Sequence, residues 1–138
     1  MARVRVTRRL HFAAAHRLGR PEWDEERNVR VFGQCSNPNW HGHNYELDVT
    51  VEGEIDPETG FVLDLKALKA LVEDRVVADL DHRNLNLDVG WMQGLNPTTE
   101  NLVVAIWDRL AGELPDGNEL VRLVLWETPR NYVEYAGE

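Results

Sequence analysis

The chain has a single cysteine, Cys35, so no disulfide can form within it, and a reducing cytoplasm is the expected setting. No apolar run approaches the roughly 20 residues that a bilayer span needs, which argues against a membrane protein. The basic start leads into Leu10–His16, a segment too short and too interrupted for a signal-peptide core. A basic excess is also missing: 15 Lys and Arg stand against 24 Asp and Glu, for a net charge of -9. Nucleic acid is therefore a disfavoured partner. No repeat, low-complexity tract or Pro/Gly/Ser linker divides the 138 residues, a length that suits one domain, 1–138, and not two.

The charge is uneven. Residues 1–20 carry six arginines (Arg3, Arg5, Arg8, Arg9, Arg17 and Arg20) and no acid, which leaves room for a local site taking an anionic small molecule. Val4, Val6, Leu10 and Phe12 share one parity and Arg3, Arg5, Thr7 and Arg9 the other, which predicts a strand interrupted at Arg8. Residues 17–40 are polar and irregular, with a helical turn near Glu25–Phe32 ending at Gly33; so long a loop points to function. From His41 to Glu52 the alternation is clean: His41, His43, Tyr45, Leu47, Val49 and Val51 face one way. After the turn Asp56–Gly60 comes a short extended piece, Phe61–Leu63. Asp64 then caps a helix with Leu65, Leu68, Val72, Val76 and Leu80 on one stripe. Asp81–Gln93 reads as loop, and Asn96-Pro97-Thr98-Thr99-Glu100 as a helix start with Asn96 as the capping residue. Leu102, Val103, Ile106 and Leu110 form that helix's buried stripe, and strands follow at Val121–Glu127 and Tyr132–Tyr135. The expected architecture is α+β: a four-stranded antiparallel sheet with two helices on one face, in the order ββααββ.

The five histidines carry most of the chemistry. His41 and His43 lie two apart in a strand, so both point to one face, about 7 Å apart along the strand. Alone, such a pair is more often two half-buried imidazoles at the end of a sheet. His16, at the end of the first strand and on its apolar parity, supplies a third imidazole. Three histidines without a fourth protein ligand suit an open, catalytic zinc site. Cys35 has two chemical readings: a fourth ligand that closes the site, or a thiolate base whose pKa is lowered by nearby cations. Its polar surroundings, Gly33–Asn39, argue against an inert core cysteine. Asp81-His82 is either a helix C-terminus with a favourable cation or an acid–base dyad. Glu127 shares parity with Val121, Leu123 and Leu125; it points inward and needs N–H donors, or it already lies in solvent.

Taken together these residues resemble the 6-pyruvoyl tetrahydropterin synthase family. The resemblance rests on Phe12–Leu18, Phe32–Asn39, His41-Gly42-His43-Asn44-Tyr45, Gly53–Gly60, Leu80–Leu85, Pro97–Asn101 and Trp126-Glu127-Thr128, nearly end to end and in the family's order. It implies a tunnelling fold, in which trimers close their sheets into a barrel and two trimers stack into a homohexamer. It implies one zinc per subunit on His16, His41 and His43, and 7,8-dihydroneopterin triphosphate as substrate. Cys35 would be the base with Asp81 and His82 as its partners, and Glu127 would anchor the pterin beside Thr98, Thr99 and Glu100. Triphosphate leaves by elimination and an internal redox tautomerisation gives 6-pyruvoyl tetrahydropterin. The sibling 6-carboxytetrahydropterin synthase of queuosine biosynthesis shares fold, triad and substrate, but typically has three residues between its cysteine and His-x-His; here five intervene. A third, folate-linked branch carries glutamate in place of the cysteine. A zinc-stabilised pterin-binding module without turnover would need none of Cys35, Asp81 and His82. Trp40 departs from the family, whose animal members carry glycine there.

Overall fold

The computed structural model describes residues 2–138. Strand β1 runs Arg3–His16, helix α1 Glu25–Phe32 and strand β2 His41–Glu54. Helix α2, Leu65–Val72, continues through a wider π turn at Glu73–Val77 into a last turn at Ala78–Leu80. Strand β3 is Arg83–Asn84, helix α3 Thr99–Leu110, strand β4 Glu119–Trp126 and strand β5 Tyr132–Tyr135. The sheet order is β3-β1-β2-β4-β5.

This corrects the expected sheet: it has five strands, and it is mixed, because β3 pairs parallel to β1. Two residues are too few to show a period. The strand exists because the backbone of β1 would otherwise end its outer edge unpaired. The Asp81 carboxylate accepts from Ala13 N at 2.8 Å, His82 N donates to Ala13 O at 2.6 Å, and Leu85 N donates to Ala15 O at 2.8 Å.

β1 and β2 pair in unbroken register from Arg3↔Glu54 to His16↔His41. Arg8 therefore does not interrupt the strand; its backbone pairs with Val49 and only its side chain departs from the apolar pattern. One face of the pair packs Leu10, Phe12, Ala14, Tyr45, Leu47, Val49 and Val51 against Leu68, Val72, Val76, Leu80, Leu102, Ile106 and Leu110 from the helices, in a single core. The opposite face is ionic. Arg3 and Arg5 pair with Glu52, Arg9 grips both oxygens of Asp48, and the Thr7 and Thr50 hydroxyls bond at 2.8 Å.

Four local expectations are revised. Residues 61–63 form bends and no strand. Leu65 is exposed, so the α2 stripe begins at Leu68. Thr98, not Asn96, caps α3, accepting from Asn101 N; Asn96 Oδ1 instead accepts from Gly19 N at 3.1 Å and ties down the loop after β1. In β4 a bulge opposite Thr50 and Val51 shifts the register, so Leu120 replaces Val121 on the inward face while Leu123 and Leu125 keep their places.

Leu123 is fully buried, so Leu123→Ala should destabilise the protein by about 2–5 kcal/mol in denaturant unfolding, whereas Leu87→Ser, at an exposed site, should stay within about 0.5 kcal/mol. Hydrogen bonds from Arg9 hold the Asp48 carboxyl below the usual carboxylate range. A depressed carboxyl contributes stability above its unfolded pKa and loses it as pH falls through the folded value. Unfolding curves taken from about pH 6 downward, over the carboxylate range, should therefore show a flatter acid limb for Asp48→Asn than for the parent.

Candidate active site

The β1–β2 register sets His16 opposite His41 and Ala14 opposite His43, all on the core-facing side of the sheet. The three imidazoles meet edge to face, with ring centroids 4.5–5.1 Å apart. One nitrogen from each lies within 4.8 Å of the others, and the Nε2 atoms of His16 and His41 are 3.0 Å apart. His16 is fully buried. Its Nδ1 lies 2.8 Å from the Pro97 carbonyl, which keeps the proton on that nitrogen and leaves the Nε2 lone pair facing the cluster. Burial, the largest influence, pushes the pKa of both His16 and His43 down, so both sit neutral, as a metal ligand must.

The donor set fits a metal ion. His41 Nδ1 and His43 Nε2 are buried without a hydrogen-bond partner, a costly state that a cation on the neighbouring lone pairs would justify. His43 Nε2 does lie 3.1 Å from Glu127 Oε1, but without hydrogen-bond alignment. Cys35 stands outside the cluster, in a short 3-10 turn, Gly33–Ser36, that follows α1. That leaves three protein ligands, the number of an open site.

Glu127 follows directly on β4 and is only about a quarter exposed along its side chain. It reaches His43 with one oxygen and receives a short hydrogen bond from the Thr99 hydroxyl on the other. Thr99, Glu100 and Glu127 line one cavity of about 180 Å³; Glu127 and His43 also line another of about 380 Å³ on the β4 side of the cluster. Thr98 is engaged elsewhere, as the cap of α3. Burial and then the charge of Glu127 push the Cys35 thiol up. The lowering by cations that one reading of Cys35 supposed is not found in this chain, because burial acts first and the charge that acts on the thiol is that of an acid. Tyr45, fully buried beneath the imidazoles, has its phenol pushed well up, by burial first.

Asp81 and His82 do form a pair, with Asp81 Oδ2 3.0 Å from His82 Nδ1. The backbone N–H of Ala13 is the main cause holding the Asp81 carboxyl below its usual range. They lie at the β3 side of β1, however, and the His82 side chain is 84% exposed. His82 lines a cavity of about 460 Å³ with Ala13, Ala15, Gly42 and Asn44, residues of the sheet face opposite the buried imidazoles, and with Ala14 and His43. The fold thus unites His16, His41, His43, Glu127 and Thr99, with Cys35 close by, and leaves Asp81–His82 apart. Sequence reasoning missed the Pro97 carbonyl, and no signal could have revealed it, since any residue type carries one. Tyr45 was legible only as a core position.

A family profile described as "6-pyruvoyl tetrahydropterin synthase" matches residues 5–138. The protein belongs to that family. It is 48% identical over 135 residues to the 6-pyruvoyl tetrahydrobiopterin synthase of Pongo abelii, covering 98% of this chain and 92% of the relative. A relative named for a different activity, the dihydroneopterin monophosphate aldolase of Pyrococcus furiosus, is 41% identical over 125 residues, covering 91% of this chain and 90% of the relative. The solved 6-pyruvoyl tetrahydropterin synthase of Caenorhabditis elegans superposes with a TM-score of 0.91 at 36% identity, covering 100% of this chain and 98% of that one.

A divalent metal titrated into chelator-stripped protein should raise its melting temperature. His41→Ala should abolish that rise and Cys35→Ala should preserve it; loss of the rise in Cys35→Ala would make the cysteine a ligand.

Proposed function

We propose that this protein is a carbon–oxygen lyase that eliminates triphosphate from 7,8-dihydroneopterin triphosphate to give 6-pyruvoyl tetrahydropterin. The observation that carries this reading is near-half identity along almost the whole sequence to a 6-pyruvoyl tetrahydrobiopterin synthase, joined to three imidazoles converging beside an anchored carboxylate. Residues 1–138 act as one domain. A lone cysteine supports a cytoplasmic setting, and no helix among the described residues is long and apolar enough to cross a membrane.

His16, His41 and His43 would hold one zinc ion. The chemistry zinc supplies when bound is Lewis acidity, which eases removal of C–H and O–H protons from the three-carbon arm of the substrate. Glu127, braced by Thr99, accepts from the adjacent amino and ring N–H groups of the pterin and so fixes its orientation; Glu100 stands on the same cavity and Thr98 caps the helix that carries both. Cys35 takes the proton from that arm. Within one subunit its thiol is raised, so the base needs a partner from outside, and the Asp81–His82 pair is the candidate. The imidazole of His82 is exposed and oriented by Asp81, on a loop that the open edge of the sheet presents to a neighbour. In this reading the active assembly is the homohexamer that the family resemblance implies, a dimer of trimers, in which Cys35 and the metal come from one subunit and Asp81 and His82 from another. Redox equivalents stay within the substrate: the pterin ring gains the hydrogens that its three-carbon arm gives up, and triphosphate departs. No external redox cofactor takes part.

Incubation with dihydroneopterin triphosphate and mass analysis of products tests the reaction. The expected product keeps all three carbons of the arm (a count set by the pyruvoyl group) and releases triphosphate. A shortened arm would point instead to the carboxy-forming sibling or to aldol cleavage, and binding without turnover to a pterin-holding module. Glu127→Ala should weaken neopterin binding by about 1.5–3 kcal/mol while metal content stays constant. Cys35→Ala and His82→Ala proteins, each inactive, should regain part of their activity when refolded together; none regained, despite proven subunit mixing, would mean that every subunit builds its own site.

A further inference from the structure

The helical stretch that begins with α2 carries Leu68, Val72, Val76 and Leu80 at intervals of four, and all four are buried. A regular α-helix turns by about 100° per residue, so that spacing would carry Leu80 about 120° away from Leu68. The π turn at Glu73–Val77 takes up most of the difference, because it spends an extra residue on one turn. Such turns are rare and gather at functional sites. This one lies directly upstream of Asp81 and His82.

A polar cluster fixes this turn from outside the helix. Arg109 of α3 donates from Nε to the Arg75 carbonyl inside the π turn at 3.1 Å, and from Nη2 to Asp79 Oδ2 at 3.3 Å. The same Asp79 oxygen accepts from the Trp91 indole N–H at 2.9 Å. Trp91 sits on a short 3-10 turn, Gly90–Met92, and its ring centroid lies 5.4 Å from the Arg109 guanidinium. One guanidinium thus ties α3 to the π turn and to the turn after it. Both side chains of the ion pair are more than a third exposed, so it adds little to overall stability. What it fixes is direction. Just beyond Asp79, His82 has a φ of 59°, a left-handed conformation that persists only where the surroundings over-determine it. The downstream anchors are the bonds of Asp81 and His82 to Ala13 and of Leu85 to Ala15. The upstream anchors are buried Leu80 and the hold on Asp79.

We infer that Arg109, with Trp91, is a positioning residue for the Asp81–His82 pair: together they clamp the π turn and Asp79, and so hold His82 in its left-handed, outward-facing conformation. Without the clamp the π turn can relax into regular helix, which rotates everything after it by about 100°. Either Leu80 then leaves the core or His82 loses its bond to Ala13. The consequence for catalysis rests on the reading that His82 serves a neighbour's site, but the clamp itself is measured by hydrogen exchange, which needs no substrate.

Amide exchange is followed by NMR on the metal-loaded protein, beside turnover of dihydroneopterin triphosphate. In Arg109→Met the His82 and Leu85 amides should exchange roughly 3- to 10-fold faster, while those of Leu47 and Val49 in β2 keep the parent rate. Trp91→Phe, which loses the indole donor and keeps a ring, should show a smaller change at the same amides, and Arg109→Lys should recover part of the loss. In Arg109→Met kcat should fall by a similar factor, with KM and metal content unchanged. Refolding with inactive partners separates positioning from damage. Arg109→Met keeps Cys35, so with Cys35→Ala it should form sites of parental activity. With His82→Ala it should gain nothing, because the only imidazole available is the misplaced one. Parental exchange at His82 in Arg109→Met overturns the clamp, as does an unchanged kcat. So does faster exchange at Leu47 with loss of metal, which would mark a general structural role, and so does equal recovery with both partners. If exchange and kcat change as expected but Cys35→Ala and His82→Ala fail to complement each other despite subunit mixing, the clamp stands and the shared site falls. If the parent turns nothing over, the lyase reading falls and exchange alone decides the clamp.

Discussion

Everything in this molecule depends on the antiparallel pairing of β1 with β2. Strand side chains alternate with a period of two, so a slip of one residue would turn an entire face over. In the observed register Leu10 meets Leu47 and Phe12 meets Tyr45 in the core, and the same alternation brings His16 opposite His41 at the end of the ladder. On the reverse face it brings Arg5 opposite Glu52 and Arg9 opposite Asp48. Core, imidazole cluster and ionic face are three consequences of one alignment. The register needs no single strong contact, because an alternative would bury arginines and expose phenylalanine together.

The site is a problem in managing buried polarity. Imidazoles and a carboxylate approach the core, and each buried polar atom needs a partner. The Pro97 carbonyl serves His16, and Thr99 serves Glu127. What is left over, on His41 and His43, is the capacity to bind a cation. Burial keeps His16 and His43 neutral and simultaneously raises the neighbouring thiol, so the single subunit presents a ready metal site and an unready base.

The net charge of -9 also conceals a local sorting. Cross-strand acids neutralise Arg3, Arg5 and Arg9 of β1, so these offer nothing to an anion, while Arg17 lies past the end of the ladder where no acid faces it.

Alternation made β1 and β2 legible directly, including the shared face of His16, His41 and His43, and the three- and four-residue spacing made α3 and most of α2 legible. Local rules suffice there because each element is long enough to show its period and buries one face. Motif resemblance added the family, and with it the roles proposed for Cys35 and Glu127. The sequence was silent on β3, whose two residues show no period, and on the β4 bulge that exchanges Val121 for Leu120. It misplaced the cap of α3, since Asn96, Thr98 and Thr99 are all competent caps and only the contact of Asn96 with Gly19 N decides among them. Whether Glu127 pointed inward and whether Cys35 joined the metal cluster were also undecidable from spacing. Those questions turn on which side-chain atoms meet in the fold, and sequence order does not contain that, whether the residues are 6 apart, as Cys35 and His41 are, or 84 apart, as His43 and Glu127 are.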